Sequence, residues 1–482
     1  MLLEPLLRHG KDRPEALAFR DANGDLSWGE TAARVAVLGS MLRGATQQPT
    51  VGILLPAASA FPVAFYATLA AGKTAVPINF LLGEQAIGHI IADSGIDTII
   101  TAPPLKAQVE KLPLNIIDLA ELASAPPPQA PPAAPHIAAE ADDAALLYTS
   151  GTSGKPKGVR LTHGNIHHDV TACIEHAALA DNHTFLGIIP LFHSTGLLAT
   201  MVAPTTLGAT TIYQPRFSPV GTLGAIREHK ISVMAAVPAM YGAILRLKDA
   251  TPGDFASMYL PLSGGEPLPG RIRAGFKQRF DTDLMEGYGL TETCGPIAVN
   301  MPHQHRPGSV GRLIPAGEVR IADPDDTGQG EVQLKGPMVF AGYHNLPDET
   351  ADAFTDDGYF KTGDLGRVDE DGYLHITGRL KDLIIIGGEN LHPRELEELL
   401  AAHPAIAQAA VVGKPDDTRG EVPVAFLVPA EGATADAELA KAHIRDTGLP
   451  NWKHPRAYHI VEELPMSPTG KVLKRELASQ VS

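Results

Sequence analysis

The sequence has few cysteines and an excess of acidic over basic residues, which argues against a disulfide-built or nucleic-acid-binding protein. Its 482 residues include two cysteines, Cys173 and Cys294, which allow at most one disulfide and have no metal-ligand spacing. The formal net charge is −16, which argues against nucleic acid and anionic membranes as bulk partners. Any anionic ligand must therefore be met by cations placed locally.

The sequence also has no long uncharged run that is free of proline. Residues 51–72 and 184–213 contain no Asp, Glu, Lys or Arg, but prolines interrupt both stretches. Buried strands followed by packed helices explain them better than membrane spans do. Residues 1–5 lack a basic segment and a long apolar core, so we expect no signal peptide. These features predict a soluble, cytoplasmic protein without an integral membrane segment.

The order of the apolar segments predicts an α/β fold. Residues 1–45 are expected to form a helix, a turn at 21–24 and a second helix that begins near Trp28. From 51 to 101, strand-like and helical segments alternate, which is typical of a mainly parallel sheet. A proline-rich linker at 126–135 precedes further alternation of the same kind.

The texture of the sequence changes in its last third. Short strands with dense Gly and Asp punctuation follow residue 307 and predict a small β subdomain. A compact α+β unit begins at 383. We therefore expect a large N-terminal domain of mainly parallel α/β subdomains plus the β subdomain, residues 1–379, and a small C-terminal domain, residues 380–482.

The most informative stretch is residues 147–159, LYTSGTSGKPKGV. An apolar strand opens into a loop of hydroxyls, glycines and lysines, and such a loop suits a polyphosphate because its N–H groups can converge on an anion. A Walker loop is the first alternative, but Pro156 follows Lys155 and no Ser or Thr is placed to hold magnesium. A plain Ser/Gly linker would hardly carry two lysines behind a buried strand.

This loop resembles the phosphate loop of the adenylate-forming superfamily, TSGTTGxPKG, with Ser153 in place of one threonine. The superfamily includes acyl-CoA synthetases, aryl-CoA ligases, luciferases and peptide-synthetase adenylation domains. The resemblance implies that ATP is bound by the loop residues Thr149, Ser150, Gly151, Thr152, Ser153, Gly154, Lys155 and Lys157.

A second motif is residues 287–292, GYGLTE. Tyr288 stands between two glycines and can lay its ring on a purine, and Glu292 is a hard oxygen ligand suited to Mg²⁺; a buried tyrosine in a turn is the alternative. The motif resembles the family's YGxTE, which implies that Tyr288 stacks on adenine and that Thr291 touches the α-phosphate. Glu292 and Thr152 would serve the metal. The implied nucleotide site also includes Gly265, Glu266, Pro267, Glu286, Gly287 and Gly289.

Three later motifs continue the resemblance. In residues 362–364, TGD, the family role of Asp364 is to accept the ribose hydroxyls, although a turn-capping Asp is the simpler local explanation. Residues 378–382, GRLKD, resemble the family's GRxKD, which places a ribose and phosphate contact on Arg379 and the hinge of a mobile C-terminal domain on Lys381. Residues 467–471, SPTGK, match the family's PxTGK and imply that Lys471 bridges the acyl carboxylate and the α-phosphate.

The remaining implied residues concern the acid and the thiol. Gly387 and Gly388 would line the path of the coenzyme A thiol, with an ordinary turn as the alternative. His193 resembles the family's aromatic gate between acid and thiol, and a core histidine is the alternative. The acid pocket would contain His193, Val237, Gly264 and Gly289. His163 and His167 could place two imidazoles on one helix face, but no Glu completes the HExxH pattern.

The resemblance runs in the family's order from Tyr148 to Lys471 and implies an acid–thiol ligase with ATP, Mg²⁺ and coenzyme A. Lys471, His193, Thr152 and Glu292 would be catalytic. Loading of a carrier-protein phosphopantetheine is a second hypothesis, and a non-catalytic nucleotide-binding module is a third. No Lys or Arg occurs in 161–215 or 231–245, so we expect an apolar fatty or aryl monocarboxylate as the acid. A homodimer is possible by analogy.

Overall fold

The computed structural model describes residues 1–124, 132–150, 155–315, 317–466 and 472–481. The chain packs as two compact units. The first comprises Met1–Leu268, Ile272–Glu318 and Leu334–Phe360, and the second comprises Pro269–Arg271, Val319–Gln333 and Lys361–Ser482. The expected α/β class is confirmed. The expected boundary after residue 379, with movement across it, stays a prediction.

A seven-stranded sheet forms one part of the first unit. Its middle strands pair in parallel. The strand that precedes residues 151–154 and the strand that follows them are antiparallel to each other. In spatial order the strands are Gly342–Tyr343, Pro156–Thr162, Asp143–Ser150, Thr74–Pro77, Thr50–Leu54, Thr98–Thr101 and Asn115–Asp118.

A nine-stranded sheet forms the other part of the first unit. From Met285–Gly289 across to Leu17–Asp21 the pairings are parallel, and short antiparallel strands close both edges. In spatial order the strands are Arg312–Leu313, Pro296–Val299, Met285–Gly289, Leu260–Ser263, Val233–Ala236, Thr184–Gly187, Thr210–Tyr213, Leu17–Asp21 and Gly24–Ser27.

Helices cover these sheets, as βαβ connections require. The α-helices before residue 360 are Glu4–Asp12, Trp28–Ala45, Ala60–Ala70, Glu84–Ser94, Pro103–Lys106, Leu119–Ser124, His163–His176, Ser194–Leu197, Ala203–Leu207, Pro219–His229, Pro238–Leu245, Gly270–Phe280 and Pro347–Asp352. A π-helical turn at Leu198–Val202 and 3₁₀ turns at Pro252–Phe255 and Thr291–Thr293 interrupt the series.

The two charge-free stretches are core elements, as expected. The first becomes a fully buried strand and the helix Ala60–Ala70, in which every residue after Ala60 is buried. The second becomes two strands of the nine-stranded sheet and the irregular helical segment between them. Among the described residues, no helix is both long and apolar enough to cross a bilayer.

The N-terminal 45 residues differ from expectation in one respect. The turn at 21–24 joins two strands, Leu17–Asp21 and Gly24–Ser27, which form the edge of the nine-stranded sheet. The strands are short and rich in charged residues, so no apolar alternation marks them in the sequence. The helix after them begins at Trp28, as predicted, and Ser27 caps it.

The second unit contains two further sheets. One has the strand order Glu318–Ala322, Gly330–Lys335, Phe360–Val368 and Leu374–Arg379. The other has five strands: Glu389–Leu391, Ile384–Ile386, Gly420–Pro429 and Ile406–Asp416 in order, with Ala457–Ile460 paired in parallel to Gly420–Pro429. Helices Pro393–Ala401, Ala437–Asp446 and Lys474–Ser479 and 3₁₀ turns at Leu380–Asp382 and Asn451–Lys453 complete the unit.

A cluster of aromatic rings supports two strands of the nine-stranded sheet. Phe276 is fully buried and its ring centroid lies 5.3 Å from that of Tyr241 and 5.0 Å from that of Phe280. The Tyr241 hydroxyl donates to the carbonyl oxygens of Met234 (2.9 Å) and Leu262 (3.2 Å). The cluster therefore fixes the two strands that lead into Val237 and Gly264.

Replacing Phe276 by alanine should lower the free energy of unfolding of the first unit by about 3–5 kcal/mol, since it leaves a large cavity. Phe276→Leu keeps most of the volume and should lower it less. The measurement is urea unfolding followed by Trp28 fluorescence in a Trp452→Phe background, because Trp452 lies in the second unit. Equal midpoints for the alanine variant and its parent would contradict this account of the core.

Candidate active site

The loop at 151–154 lies outside the described residues, but the hairpin that carries it is well defined. Strands Asp143–Ser150 and Pro156–Thr162 are antiparallel, with Thr149 opposite Lys157 and Ser150 opposite Pro156. This register brings the two ends of the loop together at the tip of a hairpin. The roles expected of Gly151, Thr152, Ser153 and Gly154 stay predictions, as does that of Ser150. Lys155 is exposed just after the loop, and Lys157 is half-buried.

The base of this hairpin is fixed by contacts that the sequence analysis did not find. The Tyr148 hydroxyl donates to Asp93 Oδ2 at 2.6 Å, and burial followed by the Asp93 charge raises the pKa of this phenol. The Tyr148 ring packs under Gly158, where a Cβ would lie 3.2 Å from Cζ. The His344 N–H donates to the Gly158 carbonyl at 2.8 Å. The hairpin is therefore held from both sides.

Tyr343 joins the phosphate-loop hairpin to the GYGLTE motif. Its hydroxyl donates to Glu292 Oε1 at 3.0 Å, and the ammonium of Lys157 lies 5.4 Å from its ring centroid. Its strand pairs with Pro156–Thr162, and the Phe340 N–H donates to the Glu292 carbonyl at 2.8 Å. Burial, then the charge of Glu292, raises the pKa of Tyr343, which keeps the hydroxyl a donor. Glu292 and Lys157 thus both contact the Tyr343 side chain.

The carboxylate of Glu292 fits the magnesium role that the resemblance implies. It is a half-buried hard oxygen donor, and the Tyr343 hydroxyl fixes its orientation as outer contacts of metal ligands do. Among the described residues, no three or more His, Cys, Asp or Glu side chains form a group that could hold a metal. Magnesium bound with a nucleotide needs only one or two carboxylates, because phosphates and water supply the rest.

Three predicted segments meet at the carboxyl ends of adjacent strands. A Cβ on Gly264 would lie 3.6 Å from the Gly287 carbonyl oxygen, and one on Gly265 would lie 3.8 Å from Val237 Cγ1. Gly265 has φ +81°, which favours glycine. The ends of parallel strands are where α/β sheets bind ligands. The structure therefore brings Val237, Gly264, Gly265 and Gly287 together as the sequence analysis expects.

Two residues of the predicted nucleotide site have structural contacts as well. Glu286 is buried, and its carboxylate accepts from the Leu268 N–H at 3.0 Å, which holds the loop from 264 to 268. In that loop Glu266 is half-buried and Pro267 exposed. Gly289 packs so tightly on the Gly295 carbonyl that no side chain fits there. Close backbone approach is thus a second reason for this glycine, beside access to the half-buried Tyr288 ring.

Backbone geometry orients Thr291 and Glu292. Both lie in a 3₁₀ turn whose end is fixed by the buried Thr293, which accepts from the Leu290 N–H at 2.9 Å. Thr293 was not singled out from the sequence, although a Thr beside a Glu after a strand is a common capping signal. Both predicted side chains are half-buried, and the Glu292 carboxylate lies against the Tyr343 hydroxyl.

His193 directly precedes the short helix Ser194–Leu197, and its carbonyl accepts from the Leu197 N–H at 2.8 Å. Its ring centroid lies 4.7 Å from that of Phe192, which in turn meets Phe80 edge-on at 5.2 Å. The imidazole is half-buried in this aromatic row. The position suits the expected gate, whose action stays a prediction.

Asp364 and Arg379 face each other in the second unit. They are opposite in the register of adjacent strands, and Arg379 Nε lies 2.7 Å from Asp364 Oδ1. Asp364 is buried, and its N–H donates to the Thr362 hydroxyl at 3.0 Å. Gly363, with φ +68°, donates its N–H to Glu331 at 3.1 Å. The resemblance implies that both residues contact the ribose of the nucleotide. The structure shows that they also form an ion pair with each other.

Gly387 and Gly388 form the two-residue turn between Ile384–Ile386 and Glu389–Leu391. Their φ angles are +61° and +92°, which a tight hairpin turn requires and glycine best supplies. The turn alone therefore accounts for both glycines, and the thiol path stays a prediction. Lys381 is exposed in the 3₁₀ turn Leu380–Asp382. Its hinge role stays a prediction, and Lys471 lies outside the described residues.

Known proteins are similar in sequence to this chain over nearly its whole length. A feruloyl-CoA synthase of an Amycolatopsis species is 35% identical and is matched over 98% of this chain and 97% of its own. A sulfoacetate–CoA ligase of Cupriavidus necator is 36% identical over 97% of this chain and 94% of its own.

Solved structures of similar proteins include nucleotide complexes. ATP-bound MatB from Rhodopseudomonas palustris has a TM-score of 0.91 and 30% identity, covering 99% of this chain and 98% of its own. The o-succinylbenzoate coenzyme A synthetase of Bacillus subtilis, in complex with ATP and magnesium, has a TM-score of 0.87 and 29% identity, covering 98% of both chains.

Two family models match the chain along its length. Residues 6–344 match the AMP-binding enzyme family, and residues 395–471 match the AMP-binding enzyme C-terminal domain. Together they include the phosphate-loop hairpin, the GYGLTE motif and Lys471. The chain therefore belongs to the AMP-binding enzyme family.

Proposed function

We propose that this chain is an ATP-dependent acid–coenzyme A ligase that forms an acyl-adenylate, releases pyrophosphate and then transfers the acyl group to coenzyme A. The observation that carries the proposal is the meeting of Lys157 and Glu292 at Tyr343, which joins a cationic phosphate-loop hairpin to a metal-ligand carboxylate. CoA ligases among the similar proteins support coenzyme A, rather than a carrier protein, as the acceptor.

In the first step, an oxygen of the acid's carboxylate bonds to the α-phosphorus of ATP and the bond from that phosphorus to the bridging oxygen breaks. Pyrophosphate leaves with the electron pair. Phosphoryl chemistry of this kind depends on positioning and charge neutralisation. Lys155 and Lys157 supply positive charge beside the loop, and Thr291 and Lys471 are placed by their motifs at the α-phosphate. Magnesium, held through Glu292 and Thr152, would neutralise phosphate charge.

In the second step, the thiol sulfur of coenzyme A bonds to the acyl carbon, and the bond from that carbon to the phosphate oxygen breaks. AMP leaves with the electron pair, and the thiol proton passes to solvent. Asp364 and Arg379 are the groups proposed for the ribose, because a buried carboxylate can accept from vicinal hydroxyls while the guanidinium holds it in place. His193 is proposed to stand between acid and thiol.

We propose an apolar monocarboxylate as the acid. The residues that meet at the strand ends are glycines and aliphatic side chains, and Gly287 abuts Leu262 and Val299. A second carboxylate beside these described glycines and aliphatic side chains would be a buried charge without a cation from among them, which is strongly unfavourable. We also propose a cytoplasmic site of action, supported by two free cysteines. A homodimer stays a prediction.

The acid class can be tested with a panel. Fatty and aryl monocarboxylates should give a higher kcat/KM for pyrophosphate release than malonate or succinylbenzoate. If a dicarboxylate exceeds every monocarboxylate tested, the assignment of the acid is wrong.

Adenylate formation and thioester formation should be separable by mutation. Lys471→Ala should slow acid-dependent pyrophosphate release by a factor on the order of 10²–10³, by analogy with lost oxyanion donors, yet still convert synthetic acyl-AMP and coenzyme A to thioester. Gly388→Leu should do the reverse. Gly388→Asn, which tolerates positive φ better, controls for damage to the turn. If Lys471→Ala and Gly388→Leu each slow both single-turnover steps to the same extent, the two residues do not serve separate steps.

Tyr343→Phe removes the hydroxyl that orients Glu292. We expect the magnesium concentration that gives half-maximal pyrophosphate release to rise about 10-fold or more, since outer contacts of metal ligands have effects of this size. Tyr359→Phe is the matched control, because Tyr359 donates to Glu318 at 3.0 Å on the surface. An unchanged magnesium dependence in Tyr343→Phe would mean that the contact does not serve the metal.

A further inference from the structure

Asp169 is a buried carboxyl that the reaction described above does not use. It lies on the helix His163–His176, is 1% exposed, and its Oδ1 is sealed from solvent with no hydrogen-bond partner among the described residues. Most buried polar atoms in proteins are hydrogen-bonded, so such an atom calls for an explanation. A ligand that supplies the missing hydrogen bond is one.

The surroundings of Asp169 connect it to the expected acid pocket. A Cβ on Gly295 would lie 2.9 Å from Asp169 Oδ2 and 3.5 Å from Leu198 Cδ1. Gly295 in turn packs against Gly289, a residue of the expected pocket. Leu198 begins the π-helical turn that continues the short helix after His193. Asp169 Oδ2 therefore lies against Gly295, which packs on the pocket residue Gly289 and also lies near Leu198.

The backbone at this point is irregular in two elements at once. Cys294 has φ +64° and ψ −57°, and the Gly295 N–H donates to the Thr293 carbonyl at 2.8 Å, which closes a tight γ-turn. The facing helix contains the π turn Leu198–Val202. Both kinds of irregularity are concentrated at functional sites. Here the two irregular turns come together at Gly295, beside Asp169.

In the part of the chain that the structure describes, no positive charge compensates the carboxyl. Burial alone raises the pKa of Asp169 well above its usual range. The neighbouring thiols of Cys173 and Cys294 also have raised pKa values, first through burial and then through Asp169. A ligand group that completes this environment would hydrogen-bond to Asp169 Oδ1, the atom without a partner among the described residues.

We propose that Asp169 forms the polar far end of the acid pocket and accepts a hydrogen bond from a hydroxyl or amino group at the end of the acid remote from its carboxylate. A hydrogen-bond donor suits both protonation states, because a neutral and an ionised carboxyl each offer an accepting oxygen. The inference rests on the proposed ligase function and refines it: the acid has an apolar body and one donor at its far end. A second carboxylate is disfavoured further.

Matched acids test this inference. One series is cinnamate, 4-methoxycinnamate, 4-hydroxycinnamate and 4-aminocinnamate, and another is octanoate and 8-hydroxyoctanoate. In the unmodified chain, the acid with a donor should exceed its unsubstituted partner by at least about tenfold in kcat/KM in the series whose length fits the pocket, because a site built for a hydrogen bond rejects the analogue that lacks it. The methoxy acid has no donor and should not gain. The hydroxyl and amino members separate the two donor types.

Variants at Asp169, Gly295 and Glu175 test whether Asp169 causes the preference for donor-bearing acids. Asp169→Leu should bring the ratio of donor-bearing to unsubstituted acid to one or below, whereas Asp169→Asn, whose amide oxygen still accepts, should keep a preference for the hydroxyl acid. Gly295→Ala should lower the ratio with Asp169 intact, because its Cβ would screen the carboxyl. Glu175→Leu removes an exposed carboxylate from the same helix and should leave the ratio unchanged.

Each ratio compares two acids on one protein, so a loss of folded protein cancels. If the unmodified chain activates acids without preference for a donor, or Asp169→Leu keeps the original ratio, the inference about Asp169 is overturned while the ligase function stands. If no acid in the panel gives acid-dependent pyrophosphate release, the proposed function fails with it.

Discussion

The hydrogen bond from Tyr343 to Glu292 is the contact on which the arrangement of the two motifs of the proposed nucleotide site depends. Glu292 follows a strand of the nine-stranded sheet, whereas Lys157 lies on a strand of the seven-stranded sheet, and Tyr343 contacts both. Because Tyr343 is itself paired to the phosphate-loop hairpin, a shift of either motif would break the contact. One half-buried phenol thus fixes the position of Lys157 on its hairpin strand relative to the Glu292 carboxylate.

The supporting contacts have a common design. Tyr241 on two strand carbonyls and Glu286 on the Leu268 N–H each use a buried polar group, and Tyr148 on Asp93 a half-buried one, to fix a segment next to a strand. Buried hydrogen bonds of this kind are costly to break, which makes loops at strand ends rigid enough for positioning. In the second unit, the pair of Asp364 and Arg379 has the same character.

The sequence predicted the fold class and the family correctly because the information for both is local. A strand followed by a loop of glycines and hydroxyls, or a tyrosine between glycines, is visible within a few residues. Tyr343 and Asp93 were missed because their partners lie 51 and 55 residues away, and no local pattern marks such a pair. The edge hairpin at Leu17–Ser27 was missed because charged residues hide its strands.

Other features could not be predicted for a different reason. Two glycines singled out for ligand access have structural explanations as well: a tight turn at Gly388 and backbone contact at Gly289. Asp169 is an ordinary polar residue in a helical sequence, and only its burial without a partner marks it. Burial and close approach are properties of the folded chain, so they carry the inferences about specificity.

Isotope transfer tests the formation of an acyl-adenylate most directly. The chain is incubated with ATP, coenzyme A and an accepted acid whose two carboxylate oxygens are ¹⁸O, and the AMP is analysed by mass spectrometry. The account predicts one ¹⁸O atom in each AMP, because the oxygen that attacks the α-phosphorus stays with it when the thiol displaces AMP. Label in inorganic phosphate, or AMP without label, would contradict it.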